Sequence, residues 1–190
     1  MLDGRIKRRV LEYAALAPGE RVLDVGSGTG TLAISAARAA PGVAVTGLDA
    51  DSSILARARK KAAAAGVVVQ FDEAMSDALP YEDASFDIVL STLFFHHLGD
   101  DGKRATAAEI ARVLRPGGRI VVCDLGRPQG AASRVAVRMT TQLLDGVATT
   151  ALNVRGELPG LLVDAGFRDI AVRDRMRAVT GSYDLIVGAA

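Results

Sequence analysis

The sequence predicts a doubly wound α/β fold with a mostly parallel seven-stranded sheet, its last strand antiparallel. Three observations carry this. Short apolar runs alternate with alanine-rich amphipathic stretches, the pattern of strand–helix–strand units. Three glycines, Gly26, Gly28 and Gly30, follow directly on the first apolar run and open a helix. The connection from Arg177 to Gly181 is too short for a helical crossover, so the final strand turns back on its neighbour.

Each element has its own signal. Leu2, Ile6, Val10 and Tyr13 recur at helical spacing and place a first helix over Gly4 to Leu16, ended by Pro18-Gly19. Arg21–Val25 (RVLDV) is a short strand of the buried type. Thr31 to Ala39 is alanine-rich and helical, stopped by Pro41-Gly42. Val43–Leu48 is the second strand and runs into Asp49. Asp51 or Ser52 caps a helix that continues through Ala65, with Gly66 as its C-terminal stop. Val67–Phe71 reads as the third strand and Ala84 to Ser91 contains the fourth. Lys103 to Leu114 is helical and halted by Arg115-Pro116-Gly117-Gly118. Arg119–Asp124 is the fifth strand. Beyond it, Ser133 to Leu144 and Leu158–Ala165 read as helices, and Arg168–Asp174 and Tyr183–Val187 as two closing strands.

Composition narrows the function. The chain has 190 residues, enough for one domain over 1–190 and too few for two ordinary ones. Apolar residues make up 49% and charged residues 24%, as in globular proteins. No apolar run approaches the length of a membrane span, and the basic N-terminal stretch lacks the apolar segment of a secretory signal. The single cysteine, Cys123, excludes an internal disulfide framework. A cytoplasmic protein is expected. Net charge is +1 and aromatic residues are 4% with no Trp, which argues against nucleic acid as the partner and for a small molecule.

The chemistry concentrates at VLDVGSGTG, Val22 to Gly30. Glycines there let a ligand approach the main chain, and the helix start presents unpaired N–H groups. A glycine turn alone is equally a plain strand-to-helix connection. Asp49, at the end of the second strand, strengthens the ligand reading, because a carboxylate there accepts both hydroxyls of a ribose at about the spacing of nucleotide-binding folds. The loop reads G-x-G-x-G, with Thr31 where a dinucleotide fingerprint carries its third glycine. That favours a nucleoside without a pyrophosphate and disfavours a nicotinamide oxidoreductase.

These features resemble the class I S-adenosylmethionine-dependent methyltransferases, and most closely the small-molecule group related to ubiquinone/menaquinone C-methyltransferases. Four ordered segments carry the resemblance: VLDVGSGTG; GLDAD, Gly47 to Asp51; DALPYEDASFDIVLSTLFFHHL, Asp77 to Leu98; and ARVLRPGGRIVVCDLG, Ala111 to Gly126. The resemblance implies a Rossmann-like fold, S-adenosylmethionine as cofactor, S-adenosylhomocysteine as product, and a small, apolar acceptor. It implies that Gly26 and Gly28 lie against the methionine and ribose, with Ser27 and Ala50 in the same site. Asp24 would orient the methionine amino group through the loop, Asp49 would bind the ribose, and Ser91 would face the methionine end. Where many relatives carry an adenine-contacting Asp, this sequence has Met75. Met75 would pack on the adenine face and the Ser76 N–H would meet a ring nitrogen, with Asp77 displaced by two positions.

His96 and His97, the only histidines, fall at the carboxyl end of the fourth strand, where ligands bind in open sheets. Either could take a proton from the acceptor; each could equally be a structural histidine. Phe94 and Phe95 flank them, as pocket walls, as a face toward the sulfonium, or as core. No metal site is expected, because adjacent histidines project differently and no further ligands accompany them. Cys123 reads as a buried, inert thiol. Tyr13 reads as core, the basic cluster Arg5, Lys7, Arg8 and Arg9 as a solvated helix face, and the arginines at 173, 175 and 177 as the exposed side of a strand. The stretch 126–152 reads as a lid or substrate-specificity segment, or as the contact of a homodimer. The alternative to an enzyme is a non-catalytic, methyltransferase-like protein or subunit that binds S-adenosylmethionine without turnover.

Overall fold

A computed structural model describes residues 2–128, 147–178 and 181–190. The chain opens with helix α1 (Leu2–Ala14) and continues β1 (Arg21–Val25), α2 (Thr31–Ala39), β2 (Ala44–Asp49), α3 (Ser52–Ala65), β3 (Gln70–Glu73) and β4 (Phe86–Thr92). A 3-10 turn, Phe95–His97, precedes α4 (Asp100–Val113) and β5 (Leu114–Leu125). Helices α5 (Val147–Arg155) and α6 (Leu158–Asp164) lead to β6 (Arg168–Ala178) and β7 (Gly181–Ala189). The helix expected over Ser133 to Leu144 lies outside the described residues.

The seven strands form one sheet in the order β3-β2-β1-β4-β5-β7-β6. The pairings β1–β2, β1–β4, β2–β3 and β4–β5 are parallel, and β7 runs antiparallel to both β5 and β6. This is the predicted architecture. β1 lies between β2 and β4, so the chain winds outward from it in both directions. The carboxyl ends of β1 and β4 therefore part into a crevice, where open α/β sheets bind ligands.

Both faces of the sheet are covered. One core packs Ile6, Val10 and Ala14 of α1, Leu32 and Ala33 of α2 and Leu55 and Ala58 of α3 against Val22, Ile88, Leu90, Val121 and Leu185. The other packs Ala107, Ile110 and Val113 of α4, Leu152 of α5 and Leu161 and Leu162 of α6 against Leu23, Val25, Val89, Ile120 and Val122. Strands buried on both sides explain the unbroken apolar runs in the sequence.

Several boundaries differ from the sequence reading, and three of them have a clear physical reason. β3 starts at Gln70 rather than Val67. Gly66 sits in the left-handed region and the Val67 N–H returns to the Ala62 carbonyl, so Val67 closes α3. Val68 is 93% exposed, and the ladder begins only at Thr46↔Gln70. β5 starts at Leu114, upstream of Pro116-Gly117-Gly118. These breakers form an irregularity inside a strand, marked by the register shift between Phe86 and Ile88 on β4. β6 extends to Ala178, carried by its ladder with β7 down to Ala178↔Gly181.

Candidate active site

The glycine loop is built from the backbone. Gly26, Gly28 and Gly30 all have positive φ, at 70°, 53° and 72°. The Ser27 N–H donates to the Leu48 carbonyl, and the Gly30 N–H returns to the Ser27 carbonyl. Two of these glycines are demanded by neighbouring rings. A Cβ on Gly26 would lie 2.2 Å from Phe94 Cδ2, and one on Gly30 would lie 2.7 Å from Phe71 Cζ. The same Phe71 ring meets a Cβ on Gly47 at 2.8 Å. Phe71 is thus a wedge from β3 that sets the distance between the loop and β2. Only at Gly28 would a Cβ meet nothing within 4 Å, so this turn of the loop is the open one.

Asp49 completes the loop from β2. Its Oδ2 accepts the Gly28 N–H at 2.8 Å and its Oδ1 accepts the Asp51 N–H at 3.1 Å. Asp51 then caps α3, accepting from Ser53 and Ile54. A cleft of about 100 Å³ opens beside Asp49, lined by Gly26, Leu48, Asp49, Ala50, Ala74, Met75, Ser76, Phe94 and Leu98. Met75 is 59% exposed, whereas the Ser76 hydroxyl is held by Thr106 at 2.7 Å.

Asp24 sits behind the loop. It is buried and its Oδ2 accepts the Ala33 N–H at 3.1 Å, fixing the first turn of α2. Burial pushes its carboxyl up to about 7, opposed by the Ala33 hydrogen bond and by Lys7, and reinforced by the charge of Asp49.

The other side of the crevice is organised by Asp124, near the end of β5 and 1% exposed. Its Oδ2 accepts the N–H groups of Phe94 and Phe95, each at 2.8 Å. Its Oδ1 lies 2.7 Å from His96 Nδ1 and accepts the Asn153 amide at 3.2 Å and the Leu125 N–H at 2.6 Å. Facing an acceptor that already takes these N–H groups, Nδ1 is the ring nitrogen placed to donate to Asp124. His96 is buried and His97 exposed, with ring centroids 4.0 Å apart. Lys103, fully buried in the first turn of α4, donates to the Leu98 carbonyl and, at 2.5 Å, to the Thr149 carbonyl of α5. Burial lowers its pKa, partly offset by Asp100 and Asp124.

The structure therefore brings Gly26, Asp49, Ala50, Met75 and Ser76 into one cleft, with the Gly28 N–H on its acid. Asp24 faces α2. Ser91 is fully buried with its hydroxyl donating to the Val25 carbonyl at 3.0 Å, so it stands behind the loop rather than in the cleft. Ser27 Oγ is buried with no partner among the described residues. Asp77 is exposed and outside the cleft lining. Cys123 is buried, which pushes its thiol pKa well up. Tyr13 bonds Arg9 and the Arg173 carbonyl, away from the crevice. Asp124 and Lys103 went unnoticed in sequence. Asp124 lies within one of the matching segments, but apart from the adjacent Leu125 its partners are 28 to 30 residues away.

Among the described residues, no group of three or more His, Cys, Asp or Glu could hold a metal, and no helix is long and apolar enough to cross a membrane.

A family model described as "Methyltransferase domain" matches residues 22–118, from β1 into β5. This chain belongs to the class I S-adenosylmethionine-dependent methyltransferases. Among curated members, a demethylmenaquinone methyltransferase of Thermus thermophilus is 39% identical over 140 residues, 74% of this chain and 63% of that protein. An O-methyltransferase of Pyrenophora dematioidea is 32% identical over 185 residues, 95% of this chain and 67% of that protein. This methyltransferase-family chain matches between about a third and two thirds of the length of the curated relatives. A methyltransferase structure from Aquifex aeolicus superposes with a TM-score of 0.72 at 19% identity, over 97% of this chain and 89% of that one. At that identity the likeness shows the fold alone.

Proposed function

We propose that this chain transfers a methyl group from S-adenosylmethionine to carbon, oxygen or nitrogen of a small, apolar metabolite. The observation that carries the reading is Asp49: a carboxylate at the tip of β2, tied to the open Gly28 turn and facing the cleft of Met75 and Ser76. The residues present fit the cofactor. Among the described residues, Ser27 Oγ is a buried group with no hydrogen-bond partner at the loop, and a Cβ on Gly28 would meet nothing within 4 Å. Asp49 would hold the ribose hydroxyls, Met75 the adenine face and the Ser76 N–H a ring nitrogen. Gly26, Ser27, Gly28 and Ala50 would supply the backbone around the ligand. Asp24 acts through the loop it braces, and Ser91 through β1.

When bound, S-adenosylmethionine supplies a methyl group already activated by its sulfonium charge. The protein's work is to hold the acceptor in line and exclude water, and positioning alone supplies roughly 7–11 kcal/mol in favourable cases. His96 Nε2 accepts the proton that an acceptor hydroxyl, amine or activated carbon must lose. Asp124 at Nδ1 steadies the resulting imidazolium. The 126–152 stretch is the proposed lid or substrate-specificity segment; within it, the Thr149 carbonyl of α5 accepts from Lys103.

The test is calorimetric titration of S-adenosylhomocysteine into wild type and Asp49→Ala. Loss of the charged hydrogen bonds should weaken binding by about 10- to 100-fold. Equal affinity in the two proteins would remove Asp49 from the site.

A further inference from the structure

We infer that Phe94 is a cofactor-facing specificity residue that reads the charge on sulfur, favouring the sulfonium substrate over the neutral thioether product. This rests on the cofactor reading above. Phe94 lines the same cleft as Asp49, Ala50, Met75 and Ser76, and its ring lies on the main chain of Gly26. With the adenosine end at Met75, Ser76 and Asp49, the end of the cleft left for the sulfur is the one bounded by Gly26 and Phe94. The two adjacent phenylalanines divide their roles. Phe95 is fully buried in the core beneath the loop, and Phe94 is only half-buried and meets Phe95 edge-on, with centroids 6.0 Å apart at 72°.

The chain holds Phe94 there against backbone preference. Leu93, immediately before it, has φ +54°, a left-handed conformation that disfavours a branched aliphatic residue. The Leu93 N–H donates to the Cys123 carbonyl at 2.9 Å, and Asp124 holds the next two N–H groups. Strain retained by surrounding bonds clusters at functional sites. An aromatic ring attracts a cation by its quadrupole and has no such attraction for a neutral thioether. Phe94 therefore steers the site toward fresh cofactor and eases product departure.

The experiment compares dissociation constants for S-adenosylmethionine and S-adenosylhomocysteine in wild type, Phe94→Leu and Phe94→Tyr. Phe94→Leu should lose roughly three- to tenfold in preference for the charged ligand, with Phe94→Tyr keeping the wild-type ratio. A ratio in Phe94→Leu within twofold of wild type overturns the inference while leaving the cofactor reading intact. A wild type that binds neither ligand overturns both. Should the variants not fold, wild type is titrated with the analogue carrying a methylamine in place of the sulfonium. Its affinity should fall as pH rises through the analogue's own amine pKa, measured against S-adenosylhomocysteine at each pH, and a constant ratio refutes the inference.

Discussion

The two halves of the crevice are held in different ways. On the β1–β2 side, position comes from the backbone: positive-φ glycines, and main-chain N–H groups that bond the Leu48 carbonyl and one acid, Asp49. On the β4–β5 side, position comes from side chains that converge from afar. Asp124 joins β5, the loop after β4 and α5, and Lys103 ties that loop to α5. A backbone-built half tolerates many side chains around a fixed ligand. A side-chain-built half depends on single residues, and its shape changes when one of them does.

Substitutions can test whether the halves are separable. The largest effect is expected from Asp124→Ala, which leaves three backbone N–H groups, the Asn153 amide and the His96 ring without their buried acceptor. Stability should fall by on the order of 3 to 5 kcal/mol in urea unfolding, and turnover by about a hundredfold or more. If the halves are independent, affinity for the neutral S-adenosylhomocysteine changes only a few-fold; a matching loss there would join them into one unit.

Next comes the pH response of the backbone-built half. Burial raises the Asp24 carboxyl to about 7 in the folded chain. A group raised in this way contributes stability that is fully present below its unfolded pKa and is lost as pH rises through about 7. The loss is bounded by about 4 kcal/mol. Asp24→Asn should flatten the fall between weakly acidic and weakly basic pH in denaturant titrations. A variant with the same slope as wild type would assign the pH response elsewhere.

The smallest effect belongs to Gly28→Ala. The new methyl group meets no atom, so only the left-handed backbone opposes it, at about 1 kcal/mol. Thermal unfolding should shift by a few degrees at most, while S-adenosylhomocysteine binding weakens because the methyl projects into the open turn. A large loss of stability would mean that this turn is packed after all.

The same contrast explains what the sequence revealed. The sheet, its reversal at β7 and the loop with Asp49 were legible because each is written in contiguous residues: apolar runs, glycines after a strand, a connection too short to cross over. Met75 and Ser76 came from the resemblance, at the position where many relatives carry an Asp, and both line the cleft beside Asp49. Asp124 and Lys103 could not be placed, because nothing local distinguishes a buried acid or lysine with distant partners from an exposed one. The resemblance implied that Ser91 faces the methionine end, and no local signal tells that its hydroxyl turns to the Val25 carbonyl. The glycines were read as room for a ligand. At Gly26 and Gly30 that room is taken by Phe94 and Phe71, so the signal was sound and two of its three reasons were aromatic. The start of β3 was misplaced because a valine run looks like a strand wherever it falls, and here its first residue belongs to a helix cap.

Phe71 lies on the outermost parallel strand, yet it is buried in the core shared with α2 and α3. Because one benzene ring props both Gly30 and Gly47, a smaller residue there would let two distant stretches sag toward each other. A change at this one ring would thus be felt at both glycines, although Phe71 itself stands outside the cleft lining.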